Sequence, residues 1–289
     1  MAEDFFLTSR TTPSPSPATP PSDNASGVSN RIYVRRYGRG EAVMIAVHGF
    51  GRNGRRMERL ALHLGERFTT YAPDLPYHGR SEWYSDRYTV GDYADILQQL
   101  LDRHPDRPVY LLGHSLGGRL LMRCLPLLRH DRIEDLALVA PDGAGGKYTN
   151  WIDTLPSAMI KPLAKLSERP RHILRFTNWL RRRGIINQYS QEYLKHNLND
   201  RPFRRRLAGT LRSVLKFPPR PDEFETALRE RGIRCTVFVG DTDPLIHHGR
   251  LVEMYEPLPS VDVHHYRGSH WLPERLLADY YRDKAFALS

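Results

Sequence analysis

Cysteine is nearly absent: the 289-residue chain has only Cys124 and Cys235. One falls in a predicted helix and the other opens a predicted strand, so no disulfide framework is expected, and a reducing, cytoplasmic compartment is the natural reading. Long apolar runs are missing as well. None approaches the roughly 18 residues that a membrane-spanning helix needs, which excludes a bilayer-crossing design. Metal-ligand spacings are lacking too, since His247 and His248 are adjacent and neither H-E-x-x-H nor a paired-cysteine motif occurs. The chain is therefore expected to work without a metal or other cofactor. Residues Met1 to Asn30 are rich in Pro, Ser and Thr but have no apolar core or cleavage pattern of a secretory signal. They read as a disordered leader over 1–30.

What the chain has in excess is positive charge, a formal +10. Such a balance raises nucleic acid, an anionic membrane surface or an acidic substrate as partners. The excess is local: between Lys147 and Arg231 there are 19 Lys or Arg against 8 Asp or Glu. Arg181-Arg182-Arg183 and Arg204-Arg205-Arg206 are its densest clusters. Their ordinary explanation is a solvated helix face, which argues against nucleic acid and leaves peripheral contact with an anionic membrane as an alternative.

Apolar periodicity divides the chain. Arg31 to Tyr37 reads as a strand, and Val43 to Val47 is a continuous apolar run suited to a strand buried on both faces. Helical and strand-like segments then alternate: a helix near Arg55 to Leu64, a strand near Thr69 to Ala72, a helix over Val90 to Arg103, a strand at Val109 to Leu112, a helix over Leu116 to Leu128 and a strand at Leu136 to Ala140. That order predicts an α/β fold with a doubly wound, mostly parallel sheet. From Gly143 to about Arg231 only helical or loop segments appear, punctuated by Pro156, Pro162, Pro170 and Pro202, so 143–231 is expected to be an inserted helical cap. In it, Met159, Ile160, Leu163 and Leu166 show helical spacing and would either line a pocket or pack on the core. Alternation resumes with Cys235 to Val239, a helix near Gly249 to Tyr255, a strand at Val261 to Tyr266 and a helix from Pro273 to Phe286. The expected core is thus 31–142 and 232–289.

Chemistry concentrates in Gly113-His114-Ser115-Leu116-Gly117, a G-x-S-x-G sequence directly after an apolar strand and directly before a helix. A serine hydroxyl is a weak nucleophile and has to be presented on a sharp turn within reach of a base. Gly113 and Gly117 remove side chains that would collide there, and the following helix aims its N–H groups at developing negative charge. Without that context the same sequence would be an ordinary glycine-rich turn.

With these motifs the sequence resembles the α/β-hydrolase superfamily, in its serine-nucleophile branch with a helical cap, over about Arg31 to Phe286. His48-Gly49-Phe50-Gly51 is similar to the family's oxyanion loop, which implies the backbone N–H groups of Phe50 and Leu116 as the oxyanion donors. Asp74-Leu75-Pro76-Tyr77-His78-Gly79-Arg80-Ser81 resembles a structural segment of the family, with Tyr77 in place of its first glycine. Gly268-Ser269-His270 resembles the segment carrying the base, which selects His270 over His264 and His265. Gly240-Asp241-Thr242-Asp243 resembles the acid loop and implies Asp243, with Asp142 as the rival after an earlier strand and Asp241 as a turn residue. The resemblance implies a Ser115, Asp243, His270 triad in the chain order of the superfamily.

The resulting expectation is a serine hydrolase that cleaves a carboxylic ester or related acyl bond of a small-molecule acyl substrate through an acyl-enzyme. Acyl transferases, thioesterases and carbon-carbon bond hydrolases share the triad, and a non-catalytic or membrane- or nucleic-acid-binding protein on the same fold is the alternative class. Serine at position 115 argues against the dehalogenase and epoxide-hydrolase branches, which use aspartate.

Overall fold

The structure, a computed structural model of the chain, describes residues 4–10, 29–143, 170–184, 188–214 and 216–286. Eight strands form one sheet: β1 (Phe5–Thr8), β2 (Arg31–Tyr37), β3 (Ala42–Val47), β4 (Phe68–Pro73), β5 (Val109–His114), β6 (Ile133–Val139), β7 (Arg234–Gly240) and β8 (Val261–Tyr266). Their order is β1-β2-β4-β3-β5-β6-β7-β8. The pairs β1/β2 and β2/β4 are antiparallel, and every pair from β4 through β8 is parallel.

The central strands are apolar at consecutive positions because both faces are covered. Val43, Ile45, Val47, Leu111, Leu136, Leu138, Val237 and Val239 belong to one core layer. Their neighbours Met44, Ala46, Tyr110, Leu112, Ala137, Val139 and Phe238 belong to the other. The period-2 alternation of a strand therefore feeds two layers at once. Helices α1 (Glu58–Leu64) and α9 (Glu274–Phe286) cover the second layer. Helices α2 (Val90–Leu101), α3 (Leu116–Cys124), α7 (Pro221–Arg231) and α8 (His248–Tyr255) cover the first. Helix α2 starts on a capping box between Thr89 and Asp92, which satisfies two otherwise orphaned N–H groups.

Helices α4 (Pro170–Arg182), α5 (Gln188–Asn197) and α6 (Arg201–Val214) lie in the expected insertion. Two boundaries move. Helix α7, expected inside the cap, packs into the core, where Phe224 and Leu228 are fully buried and Arg231 donates to the carbonyls of Leu125, Leu128 and His130. The leader expected to be disordered contains β1 instead. Leu7 is buried, Phe5 packs edge-on to Tyr71, and Tyr33 Oη donates to Asp4 at 2.6 Å. Apolar side chains at Phe5 and Leu7 give even this short segment a buried face to pair through. The Pro- and Ser-rich residues 11–28 and the apolar positions Met159, Ile160, Leu163 and Leu166 lie outside the described residues. Cys124 and Cys235 are free thiols buried in α3 and β7. Among the described residues no helix is long and apolar enough to cross a membrane.

Candidate active site

Ser115 occupies the turn between β5 and α3 with φ 52° and ψ −118°, a conformation that non-glycine residues rarely adopt. Such a backbone costs on the order of 1–3 kcal/mol and persists only when its surroundings hold it. They do so through three bonds: the Ser115 N–H donates to Val139 O at 2.9 Å, and its carbonyl accepts from the N–H groups of Asp142 and Arg119 at 3.0 and 3.1 Å. Flanking glycines are required by space as well. A Cβ at Gly117 would lie 2.3 Å from the Val47 carbonyl oxygen, and one at Gly113 would lie 2.6 Å from the Gly118 Cα.

His270 follows β8, and Asp243 follows β7. The Nδ1–H of His270 donates to Asp243 Oδ2 at 2.7 Å. The other Asp243 oxygen, Oδ1, accepts from the backbone N–H groups of Leu245 and Ile246 at 2.7 and 2.9 Å. This carboxylate is therefore fully engaged and almost completely buried. Asp142, the rival acid, faces Arg119 at 3.5 Å instead. Asp241 accepts from the Gly268 N–H at 2.9 Å, which ties the acid loop to the histidine loop.

Ser115 and His270 open onto one cavity of about 370 Å³. Its other walls include Phe50, Leu245 and, from α5, Tyr193 and Leu194. Among the described residues the N–H groups of Phe50 and Leu116 donate to no protein acceptor, so both remain available as donors. The turn bearing Phe50 is pinned by His48, whose Nδ1–H donates to Gly49 O at 2.8 Å while Nε2 accepts from the Leu75 N–H at 3.0 Å. Burial pushes the His48 imidazole down to about 4, so the ring stays neutral and keeps both roles.

Asp74 supports the same turn from below. It pairs with Arg35 and accepts from the N–H groups of Gly54 and Arg80 at 2.6 and 2.7 Å. Gly79 sits at φ 55°, and a Cβ there would come within 1.9 Å of the Asp74 carboxylate. Tyr77, standing where the family pattern has glycine, adopts φ 67°. Its hydroxyl donates to Ser85 O at 2.7 Å, and its ring lies so close to Gly209 on α6 that a Cβ there would be 2.4 Å away.

Two features escaped the sequence reading. Tyr193 and Leu194 reach the cavity from the insertion, and their only signal was an adjacent apolar pair in a helix that is polar elsewhere except at Tyr189. His114, beside Ser115, donates from Nε2 to His270 O at 2.8 Å, and its ring lies 5.1 Å from that of His270. Burial, and then the neighbouring His270, push it down to about 3. Arg181, Arg182 and Arg183 are exposed, and among the described residues none of the six clustered arginines lines the cavity. Nor do any three His, Cys, Asp or Glu among the described residues gather as a metal site.

Comparison with known proteins agrees with this architecture. A lipase of Mycobacterium tuberculosis, LipV, is 40% identical over 127 residues, covering 43% of this chain and 48% of that protein. An uncharacterized protein of Mycobacterium bovis is 37% identical over 93 residues, which cover 32% of this chain and 27% of it. The chain thus spans half or less of the length of the curated relatives it matches. Among solved structures, a thermophilic esterase from Thermogutta terrifontis superposes with a TM-score of 0.67 at 16% identity, covering 99% of both chains. An esterase from Exiguobacterium antarcticum gives 0.62 at 17% identity, covering 89% of this chain and 96% of that one. At such identities the likeness shows the fold. The match to the alpha/beta hydrolase family runs over residues 44–280, through the strands that carry Ser115, Asp243 and His270, and the chain belongs to that family.

Proposed function

We propose that the chain is a serine hydrolase of carboxylic esters or related acyl bonds, acting on a small-molecule acyl substrate through an acyl-enzyme on Ser115. The observation that carries this reading is the 2.7 Å bond from His270 Nδ1 to Asp243, made by a histidine that shares a cavity with a serine held on a strained turn. With Nδ1 committed to the carboxylate, Nε2 carries the free lone pair and accepts the Ser115 hydroxyl proton as Oγ attacks the acyl carbon. The carbonyl π pair moves to oxygen, where the N–H groups of Phe50 and Leu116 receive the negative charge. Collapse of the tetrahedral intermediate expels the leaving group, which takes the proton from Nε2. Water then repeats the sequence on the acyl-enzyme, releasing the acid and restoring Ser115.

The insertion acts as a cap in this account. Tyr193 and Leu194 on α5 complete the apolar walls beside Ser115, and a covered site strengthens every electrostatic contact inside it. Arg181, Arg182 and Arg183 stay in solvent, where their charge is not desolvated, whereas Arg204 and Arg206 are half-buried and Arg204 donates to the carbonyls of Leu198 and Asn199.

The test is turnover of 4-nitrophenyl esters of graded acyl length by the wild type, Ser115→Ala, His270→Ala and the double variant. Nucleophile and base act as a unit, so each single variant should lose activity as fully as the double. A double variant much slower than either single one, or wild-type turnover by Ser115→Ala, would remove these residues from the mechanism.

A further inference from the structure

The turn after β3 and the helical segment that follows carry Arg52, Arg55, Arg56 and Arg59, spaced by three and four residues. Arg55, Arg56 and Arg59 lie on the helical turns and Arg52 just before their N-cap Asn53, and all four line the same side. Gly54, Met57 and Leu60 face the opposite way and are buried. Like charges at this spacing repel, so a surface serving only the fold would alternate them with carboxylates. Only Glu58 is interspersed, and it pairs with Arg55 at 3.3 Å. Arg56 is tied to Glu274 on α9. Among the described residues Arg52 and Arg59 pair with no carboxylate. Arg52 instead places its guanidinium 4.8 Å from the ring centre of Trp271, a side chain that is half exposed. Together these residues line an open groove of about 790 Å³. Arg52, Arg56 and Trp271 also border the cavity that holds Ser115 and His270, so groove and cavity share a wall.

We propose that this groove binds an anionic leaving group, an alcohol or thiol bearing a carboxylate or phosphate, while the acyl chain occupies the apolar cavity. The inference rests on the serine-hydrolase reading and names its substrate class. Two observations set the orientation. Trp271 follows His270, the residue that hands its proton to the departing atom, so the leaving group departs toward the Trp271 side. The walls contributed by Phe50, Leu194 and Leu245 are apolar and suit the hydrocarbon part of the substrate. Arg52 has a charge with no carboxylate partner among the described residues, a planar fork suited to carboxylate or phosphate, and a position at the junction of the two spaces.

The experiment compares kcat/KM for three butanoyl-sized esters: neutral 4-nitrophenyl butanoate, 3-carboxy-4-nitrophenyl butanoate with its charge on the leaving group, and 4-nitrophenyl hydrogen succinate with its charge on the acyl side. Each exposed ion pair contributes a few-fold at most, so the charged-to-neutral leaving-group ratio should fall about fivefold in Arg52→Gln/Arg59→Gln. Arg59→Gln alone, altered only in the outer groove, should lower it about twofold. The wild-type ratio should also decline as sodium chloride is raised. The succinyl-to-butanoyl ratio should hold in all variants. A leaving-group ratio unchanged in the double variant, or a loss falling on the succinyl ester, overturns the proposal while leaving the hydrolase reading intact. Absence of turnover of all three esters by the wild type overturns both.

Discussion

Replacing Asp243 by Asn tests the base and its orientation together, because the surroundings dictate how the amide must sit. Two backbone N–H groups, those of Leu245 and Ile246, point at one side-chain oxygen, and His270 Nδ1 meets the other. An Asn amide nitrogen facing the two N–H groups would set donor against donor twice. Its carbonyl oxygen therefore takes that side, and its NH₂ is turned toward His270. Nδ1 then has to accept, which moves the ring proton to Nε2, the atom that takes the Ser115 proton in the proposed mechanism. The wrong tautomer typically lowers turnover about 10⁴-fold, equivalent to about 5.5 kcal/mol of transition-state stabilisation. Folding should change little, since both backbone donors keep an acceptor. The assay is ester turnover with a thermal melt on the same preparation, and Asp142→Asn is the control. Asp142 faces Arg119 at the edge of the insertion, so its loss should cost far less activity. An Asp243→Asn enzyme slowed less than tenfold, or less than Asp142→Asn, would refute the assignment.

Buried histidines make the fold acid-sensitive. His48 and His114 titrate at about 4 and about 3 in the folded chain, below the ordinary 6.5, so the unfolded state takes up protons first as pH falls. Their contribution is complete above about pH 6.5 and is lost progressively below it, at about 1.4 kcal/mol per ring per pH unit. Burial also lowers His78 and His104, so urea melts should show at least about 4 kcal/mol less stability at about pH 5 than at about pH 7; a flat profile would contradict neutral buried rings. Gly79→Ala should lower stability by about 3 kcal/mol or more, because the residue is left-handed and its Cβ would collide with the Asp74 carboxylate. A melting temperature within a degree or so of wild type would show that Asp74 does not brace the turn. Arg119→Met should expose the chain after α6 to faster amide exchange, since the buried guanidinium donates to Val214 O and Phe217 O. Unchanged protection over residues 208–217 would remove that tether.

The parallel sheet was legible because strands buried on both faces leave continuous apolar runs: Val43 to Val47 and Val109 to Leu112 differ from helices in length and in their flanking glycines. The turn that carries Ser115 was legible for a related reason, since a strand, a turn flanked by glycines and a helix stand in immediate succession. What escaped depends on tertiary packing. Helical periodicity in Pro221–Arg231 shows that one face is apolar without showing that the face meets the core. Phe5–Thr8 is too short, with three apolar residues in a row and no alternation, to stand out as a strand beside a Pro- and Ser-rich stretch. Tyr77 departs from the glycine pattern, yet adopts the left-handed backbone that glycine would, held by its bond to Ser85 and its seat against Gly209. Tyr193 enters the cavity only because of how α5 lies against the turn at Gly51, where a Cβ would be 2.5 Å from its hydroxyl.

The claim that Ser115 forms an acyl-enzyme is tested most directly by intact-protein and peptide mass spectrometry after acid quench of turnover with a slowly deacylating 4-nitrophenyl ester. The account predicts one adduct of the acyl mass on the peptide containing Ser115, absent from Ser115→Ala and strongly reduced in His270→Ala. An acyl group on another residue, or rapid ester turnover with the same adduct-free mass in wild type and Ser115→Ala, would contradict it.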